Sequence, residues 1–347
     1  MSERNWVQDA VFKGKEMRAL YPKEQAGDDG EYVKDSYEEH WGKKIQGLRA
    51  KMEKGETIAH MMAALRTPPH MITAYNRVGG QIAKAVLEGY NGKHEGVPLS
   101  RLGMTEGRYH PQFNFDPLVH IKRSSAKFRN VVELGAGPGW NLFDIATYLG
   151  SKVQSKRLFG LEYSDAGVEI IGMLAEYENL PMEAHQFDYT QPDISMVPDD
   201  GPTLFYSHLS IEQVEDISRD LYAQMAKRRT PTTLIHVEPI GWQRISQLAR
   251  ARMEGDDDLF RGLIADRLDD LDSEFAGVRN AAINSWRVKY NRNALSHIKY
   301  FEKHSRLRID HAYWDFTHQN NVNAANPCSF IQCTFTRGEQ DAEADDA

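Results

Sequence analysis

Residues 131–139, VVELGAGPG, decide how the fold of this chain is to be interpreted. Four residues of strand character run into three closely spaced glycines, and an amphipathic segment, 141–149, follows directly. A tight glycine turn between a strand and a helix lets a ligand approach the backbone closely, and the start of the helix offers unpaired N–H groups. This pattern predicts a nucleotide-like cofactor at the carboxyl end of the first strand of an α/β sheet.

The sequence on either side of this turn alternates short apolar runs with helical spans. Because helices of 10–15 residues between strands make right-handed crossovers, these runs predict a parallel sheet. The last two runs are joined by a loop too short for a crossover helix, so we expect them to pair antiparallel. The predicted fold is α/β, a doubly wound seven-strand sheet with an antiparallel last strand. The strands are predicted at 130–135, 157–163, 183–189, 202–207, 232–239, 306–316 and 328–337, and the first three crossover helices at 141–149, 166–178 and 211–226.

Changes in helix and strand patterning along the sequence also predict how the chain is divided into regions. We expect an N-terminal helical region that caps the site, a Rossmann-like cofactor-binding core, a helical insertion between strands 5 and 6, a terminal strand pair that completes the sheet, and a disordered acidic tail. Their predicted bounds are 1–125, 126–240, 241–304, 305–337 and 338–347.

Composition narrows the range of partners. The chain has 347 residues, 41% hydrophobic and 27% charged, which is ordinary globular composition and excludes a fibrous or wholly disordered protein. Lysine and arginine total 42 against 50 acidic residues, a net charge of −8, so we expect no nucleic acid partner.

The sequence also predicts the location of the protein in the cell. Neither a signal peptide nor an apolar run of spanning length is visible, so we expect no membrane association. The two cysteines, Cys328 and Cys333, are five apart and would lie on opposite faces of one strand, which argues against a disulfide. The low cysteine count suggests a reducing, cytoplasmic location.

Three acidic residues at predicted strand ends narrow the cofactor class. The glycine spacing is G-x-G-x-G rather than the dinucleotide pattern G-x-G-x-x-G, and Glu133 precedes the turn by two residues. A carboxylate there would repel a pyrophosphate but suits a cationic group near a sulfonium. Glu162 can accept both ribose hydroxyls of an adenosine, a feature that NAD sites share. Asp188 is placed to accept from an adenine amino group.

The stretches VVELGAGPG, GLEYS, QFDYT and FYSHLS resemble the successive cofactor motifs of class I S-adenosylmethionine-dependent methyltransferases. The resemblance spans about residues 126–240 and 305–337, and that family's sheet has seven strands with the last one antiparallel. It implies S-adenosyl-L-methionine as cofactor, Glu162 at the ribose, Asp188 at the adenine and Glu133 at the amino-acid end. It assigns the methionine part to Gly135, Gly137 and Gly139. An NAD-dependent oxidoreductase and a non-catalytic binding module are the alternatives.

Candidate residues for the methyl acceptor follow the fourth and fifth strands. His208 suits a hydroxyl acceptor as a base, whereas Glu212 and Glu238 could hold a cationic nitrogen acceptor. Glu238, at the strand exit, is expected to face the crevice, and His236, deeper in, to be a hydrogen-bonded core histidine. Residues 210–213 also have the pattern of a capping box, in which Glu212 would only complement a helix dipole. A metal site from His208, His236 and Glu238 lacks tight ligand spacing, so no metal is predicted.

The flanking regions are expected to enclose a small-molecule acceptor. The segment containing Tyr109, His110, Phe113 and Phe115 is either a lid over the adenosyl group or interdomain packing. The polar and aromatic segment 286–293 is either a substrate wall or a dimer contact, and a homodimer is possible.

Overall fold

The computed structural model describes residues 29–66, 117–268, 281–282, 285–286, 289–316 and 328–336. Residues 1–28 and 67–116 of the predicted N-terminal helical region, which include the aromatic segment 109–115, and the acidic tail 338–347 lie outside the described residues, and the predictions made for them stay predictions.

Seven strands form a single sheet, as the sequence predicts. Helices lie between successive parallel strands β1 to β5, except between β3 and β4, which a loop of residues 187–202 connects. Strand β7 runs antiparallel to both of its neighbours, β5 and β6. The order across the sheet is β3-β2-β1-β4-β5-β7-β6. The α/β fold with an antiparallel last strand is therefore confirmed. The strands are β1 (Asn130–Leu134), β2 (Arg157–Glu162), β3 (Met182–Gln186), β4 (Thr203–His208), β5 (Thr232–Glu238), β6 (Leu307–Phe316) and β7 (Cys328–Phe335).

Helices cover both faces of this sheet. Two of the predicted crossover helices, α4 and α5, start and end within one residue of their predicted positions. The main helices of the described ranges are α1 (Asp29–Glu53), α2 (Ile58–Arg66), α3 (Pro117–Ser125), α4 (Trp140–Leu149), α5 (Asp165–Tyr177), α6 (Asp220–Ala226), α7 (Ser246–Glu254), α8 (Asp257–Leu268) and α9 (Ala294–Lys303).

The third predicted crossover helix, 211–226, is wrong in its first half. Only a 3-10 turn, Ile211–Gln213, and the short helix α6 form there. The backbone between them bonds to side chains instead of to itself, because the Asn293 amide both accepts from Ile217 N (3.0 Å) and donates to Ile217 O (3.0 Å). Side-chain partners that compete for backbone groups prevent a regular helix.

The core consists of two apolar layers, one on each face of the sheet. Helices α1 and α2 belong to one layer, since Trp41, Leu48 and Met61 pack in the same cluster as β1, α4 and α5. A third, smaller cluster around Trp242 and Phe260 joins α7 to α8 within the predicted insertion. Cys328 and Cys333 are buried in opposite layers, as predicted, and form no disulfide with each other. None of the helices in the described ranges combines the length and hydrophobicity that crossing a bilayer requires.

Candidate functional site

The glycine turn lies where the sheet reverses its winding. β1 pairs in parallel with β2 on one side and β4 on the other, so the chain leaves β1 between two diverging crossovers. In open α/β sheets, this crevice at the carboxyl ends of the strands is where ligands bind. The N–H groups of Gly135 and Ala136 donate to Leu161 O at 2.7 and 3.0 Å, which fixes the turn to the end of β2.

Different physical constraints require glycine at the three glycine positions of the turn. All adopt positive φ, with values of 66° at Gly135, 54° at Gly137 and 83° at Gly139. A Cβ on Gly135 would lie 2.4 Å from Ser210 Cβ, and one on Gly139 would lie 3.0 Å from Ile171 and Phe143. At Gly137 it would meet, among the described residues, only the Trp41 ring at 4.0 Å. Space for a ligand is therefore found at Gly137, while packing explains the other two.

Glu162, at the end of β2, is bonded to the glycine turn. Its Oε2 accepts from Gly137 N at 2.8 Å, and its Oε1 accepts from the Ser164 hydroxyl at 2.7 Å and from Ser164 N at 3.1 Å. The Ser164 hydroxyl also caps α5 by accepting from Gly167 N at 3.3 Å. The carboxylate thus ties the turn to the start of α5, and three of its roughly four acceptor positions are used.

Asp188 lies two residues beyond the end of β3, rather than within the strand as predicted. Its Oδ1 accepts from Thr190 N at 2.7 Å and from the Thr190 hydroxyl at 2.8 Å, an Asx-turn that holds the carboxylate in place. The side chain is half-buried, and both bonds use the same oxygen.

Glu133 is the most unusual acid of the site. It is 1% exposed on the sheet face that carries α4, and its Oε1 accepts from the Asn141 amide, while no described group hydrogen-bonds its Oε2. Burial raises the pKa of Glu133 to about 8, although the Asn141 bond opposes this rise. Tyr206 lies beside Glu133 on the neighbouring strand β4, and its hydroxyl also lowers this pKa, although the two side chains do not form a hydrogen bond. A buried carboxyl with an unused oxygen is suited to a cationic partner.

Two tryptophans cover this part of the turn. The rings of Trp41, on α1, and Trp140, the first residue of α4, meet edge to face with centroids 5.4 Å apart. Helix α1 is held over α5 by Glu38, which accepts from Ala166 N at 3.1 Å, and by an ion pair of Arg49 with Glu169 at 2.8 Å. Trp41 was not among the predicted site residues, because no local motif links residue 41 to the turn some 95 residues later.

The segment after β4 folds back onto the glycine turn. Leu209 has a φ of 54°, uncommon for a branched side chain, and this bend follows His208 directly. The Ser210 hydroxyl then donates to Leu134 O at 2.8 Å and hydrogen-bonds with the Tyr189 hydroxyl at 2.8 Å. Ser210 therefore connects the ends of β1 and β4 with the loop after β3, whereas its sequence pattern indicated only a helix cap.

Glu238 does not face the crevice, and that prediction is wrong. Its side chain is fully buried, and its carboxylate accepts from Ser210 N at 3.1 Å, Ile211 N at 3.3 Å and Glu212 N at 3.4 Å. Burial raises the pKa of Glu238 to about 7, against these hydrogen bonds. The strand alternation explains the error, because residues 234, 236 and 238 point into the opposite apolar layer from Glu133.

His236 is a hydrogen-bonded core histidine, as predicted. Its Nδ1 pairs with the Ser207 hydroxyl at 2.8 Å and its Nε2 with the Tyr222 hydroxyl at 3.0 Å. Burial lowers its pKa to about 3, so the ring is neutral at physiological pH.

His208 and Glu212 complete the predicted acceptor residues. His208 is half-buried at the last position of β4, two residues after Tyr206 and thus on the same face as Glu133. Glu212 is 8% exposed and accepts from the Gln213 amide at 3.0 Å. The capping box predicted at 210–213 does not form, since the Ser210 hydroxyl bonds to Leu134 O instead of to its own turn.

The described part of the segment 286–293 holds the loop after β4. Arg292 forms a forked ion pair with Asp216 at 2.6 and 2.9 Å, and the Asn291 amide donates to Val214 O at 3.0 Å. These contacts hold the outer side of the loop, and the hydrogen bonds to the buried Glu238 hold its inner side. Within the described ranges, no group of three or more His, Cys, Asp or Glu side chains is arranged to hold a metal ion.

No protein-family model matches the chain, and no curated protein is similar to it in sequence. Several solved structures share parts of its fold. One, from work on the conversion of a disulfide bond into a thioacetal group during echinomycin biosynthesis, is 11% identical with a TM-score of 0.38 and covers 76% of this chain and 96% of its own.

Two others are O-methyltransferases. The one from Bacillus cereus, in complex with SAH, is 14% identical with a TM-score of 0.34 over 72% of this chain and 97% of its own. A putative one from Klebsiella pneumoniae is 12% identical with a TM-score of 0.36 over 73% and 97%. The chain's own sheet order shows the seven strands and antiparallel last strand that the resemblance to class I S-adenosylmethionine-dependent methyltransferases implies.

Proposed function

We propose that this protein is an S-adenosylmethionine-dependent methyltransferase that acts on oxygen or nitrogen of a small molecule. The observation that carries the proposal is the surroundings of Gly137. Its outer side is open, and Glu133 nearby presents a buried carboxyl oxygen with no described partner. A positively charged amino-acid end suits this carboxyl, whereas the phosphates of a dinucleotide do not.

The residues of the site fit the parts of such a cofactor. Glu133 would hold the ammonium group, and the open backbone at Gly137 would lie along the methionine part. Glu162 would accept from the ribose, since one of its acceptor positions is unused, and Asp188 would accept from the adenine amino group through its second oxygen. The cofactor would supply a methyl carbon on a positively charged sulfur, which leaves as a neutral thioether when an acceptor lone pair forms the new bond.

His208 is the residue that we assign to the acceptor's proton. It ends β4 beside the glycine turn and shares a sheet face with Glu133, and a neutral imidazole accepts a proton at physiological pH. Glu238 is excluded from this role because its carboxylate faces the other layer and binds three backbone N–H groups. The net charge of −8 supports a small-molecule acceptor rather than a nucleic acid.

A methyl-transfer screen tests this function. Wild-type protein is incubated with methyl-labelled cofactor and sets of phenols, sugars, amines and guanidines, and products are identified by mass. With the acceptor found, His208→Ala should lower kcat by about 10²- to 10⁴-fold, the usual contribution of a general base, while cofactor affinity persists. His185→Ala, a half-buried histidine on the edge strand β3, is the matched control and should keep its activity.

Two outcomes would contradict the proposal. Failure to transfer a methyl group to any acceptor class would remove the assigned activity. Full turnover by His208→Ala would remove the assigned role of that residue and leave the rest intact.

A further inference from the structure

Three buried polar atoms beside the glycine turn have no hydrogen-bond partner among the described residues. They are Nε1 of Trp41, Nε1 of Trp140 and Oε2 of Glu133. Trp41 is 4% exposed and Glu133 is 1% exposed, so solvent does not satisfy them. A buried polar group without a partner is costly, so such atoms in a folded protein call for an explanation, and an absent ligand is one.

The three atoms belong to one contiguous cluster. The two indole rings are in edge-to-face contact, and Trp41 Cζ2 lies 4.0 Å from the position of a Cβ on Gly137. Trp140 is followed directly by Asn141, whose amide donates to Glu133. The cluster therefore surrounds the one glycine of the turn with open space beside it.

The chemistry of the cluster is that of a receptor for a zwitterion. An indole N–H can only donate, so the two tryptophans require an acceptor. The carboxyl of Glu133 offers an acceptor oxygen and, in its ionised form, a negative charge for a cation. A ligand that carries an anion and a cation on one carbon, as an α-amino acid does, would satisfy all three atoms at once.

A cationic side chain reinforces the donor side. Lys44, one turn along α1, places its ammonium 4.8 Å from the centre of the Trp41 ring and donates to Leu65 O at 2.6 Å. Its positive charge favours an anion beside that ring.

We infer that Trp41, together with Trp140, binds the carboxylate of the cofactor's amino-acid end through the indole N–H groups, which makes helix α1 part of the binding site. This inference rests on the proposed function. The position of Trp41 is set by the contacts of Glu38 with Ala166 N and of Arg49 with Glu169, which fix α1 on α5.

An unpaired indole alone does not indicate a ligand. Trp242 is fully buried and its Nε1 also lacks a described partner, but it packs against Phe260 in the separate α7–α8 cluster. This difference makes Trp242 the matched control.

The experiment compares two probes that differ only at the amino-acid end. S-adenosylhomocysteine carries the α-amino acid group, and 5′-methylthioadenosine lacks it. Both are titrated by calorimetry, and by tryptophan fluorescence, into the wild type, Trp41→Phe, Trp140→Phe and Trp242→Phe. Phenylalanine keeps an aromatic ring and removes the N–H.

We expect Trp41→Phe to bind S-adenosylhomocysteine about 10- to 100-fold more weakly, the range for a lost hydrogen bond to a charged group. Its affinity for 5′-methylthioadenosine should stay within about twofold of the wild type, which also shows that the site is folded. Trp242→Phe should leave both affinities unchanged.

Three results overturn the inference. Unchanged S-adenosylhomocysteine affinity in Trp41→Phe and Trp140→Phe removes the indole contacts. Equal loss of both probes in Trp41→Phe indicates a packing role. If the wild type binds neither probe, the proposed function itself fails, an outcome that the wild-type titration separates from the other two.

Discussion

The glycine turn allows a packing requirement to be separated from a ligand requirement by paired substitutions. Gly135→Ala and Gly137→Ala each force an L-residue into the left-handed region, at a cost of about 1–2 kcal/mol. At Gly135 the new Cβ also lies 2.4 Å from Ser210 Cβ, and overpacking of this kind costs about 1–3 kcal/mol more. We therefore expect Gly135→Ala to lower the free energy of unfolding by about 2–5 kcal/mol and Gly137→Ala by about 1–2 kcal/mol.

Urea unfolding and calorimetric titration with S-adenosylhomocysteine measure the two effects. In a Ser210→Gly background the contact is removed, so Gly135→Ala should regain about 1–3 kcal/mol of unfolding free energy, a coupling that a double-mutant cycle isolates. Gly137→Ala should fold and yet lose cofactor affinity. Equal destabilisation by both substitutions together with zero coupling would refute the packing argument, and wild-type affinity in Gly137→Ala would refute the ligand approach there.

Four further predictions concern buried polar groups. Because the pKa of Glu133 is raised to about 8, the Glu133 carboxyl should release a proton when the ligand's ammonium group binds beside it. S-adenosylhomocysteine affinity should therefore rise by up to about tenfold per pH unit between pH 6 and 8. In Glu133→Gln, calorimetric titrations should show an affinity that does not change with pH over this range. The same raised pKa should make the free energy of unfolding of the ligand-free protein fall as pH rises from about 4.5 to 8. Urea unfolding midpoints should therefore depend less on pH in Glu133→Gln than in the wild type. Glu238→Gln should lower the free energy of unfolding by about 1–3 kcal/mol, because Glu238 accepts hydrogen bonds from backbone N–H groups of the loop after β4. The displaced loop should reduce kcat while cofactor affinity stays unchanged. A stable variant that no longer binds cofactor would contradict this. Tyr222→Phe leaves His236 Nε2 unpaired and should cost about 1–3 kcal/mol in thermal or urea unfolding, whereas the exposed Tyr148→Phe should cost nothing measurable.

The strands and the glycine turn could be predicted from the sequence because their signals are local. Strands β1, β2, β4 and β5 are short, nearly continuous apolar runs, which is the pattern of parallel strands buried on both faces. The antiparallel end of the sheet followed from loop length alone. The signal of the turn at 135–139 is its three alternating glycines.

The parts that could not be predicted depend on contacts between distant residues. The direction of Glu238 depends on the register of β5, since a one-residue shift in how a strand pairs moves its side chains to the other face of the sheet. The break in the predicted helix 211–226 depends on Asn293, some 76 residues away. Trp41 reaches the turn only because α1 docks on α5, and nothing local to residue 41 encodes that docking.

A calorimetric titration of wild-type protein with S-adenosylmethionine, with NAD run in parallel, tests most directly whether the crevice between β1 and β4 is built for a sulfonium nucleoside. The site described here predicts saturable heat with one S-adenosylmethionine per chain and none with NAD. Heat from NAD, or silence from both, would contradict it.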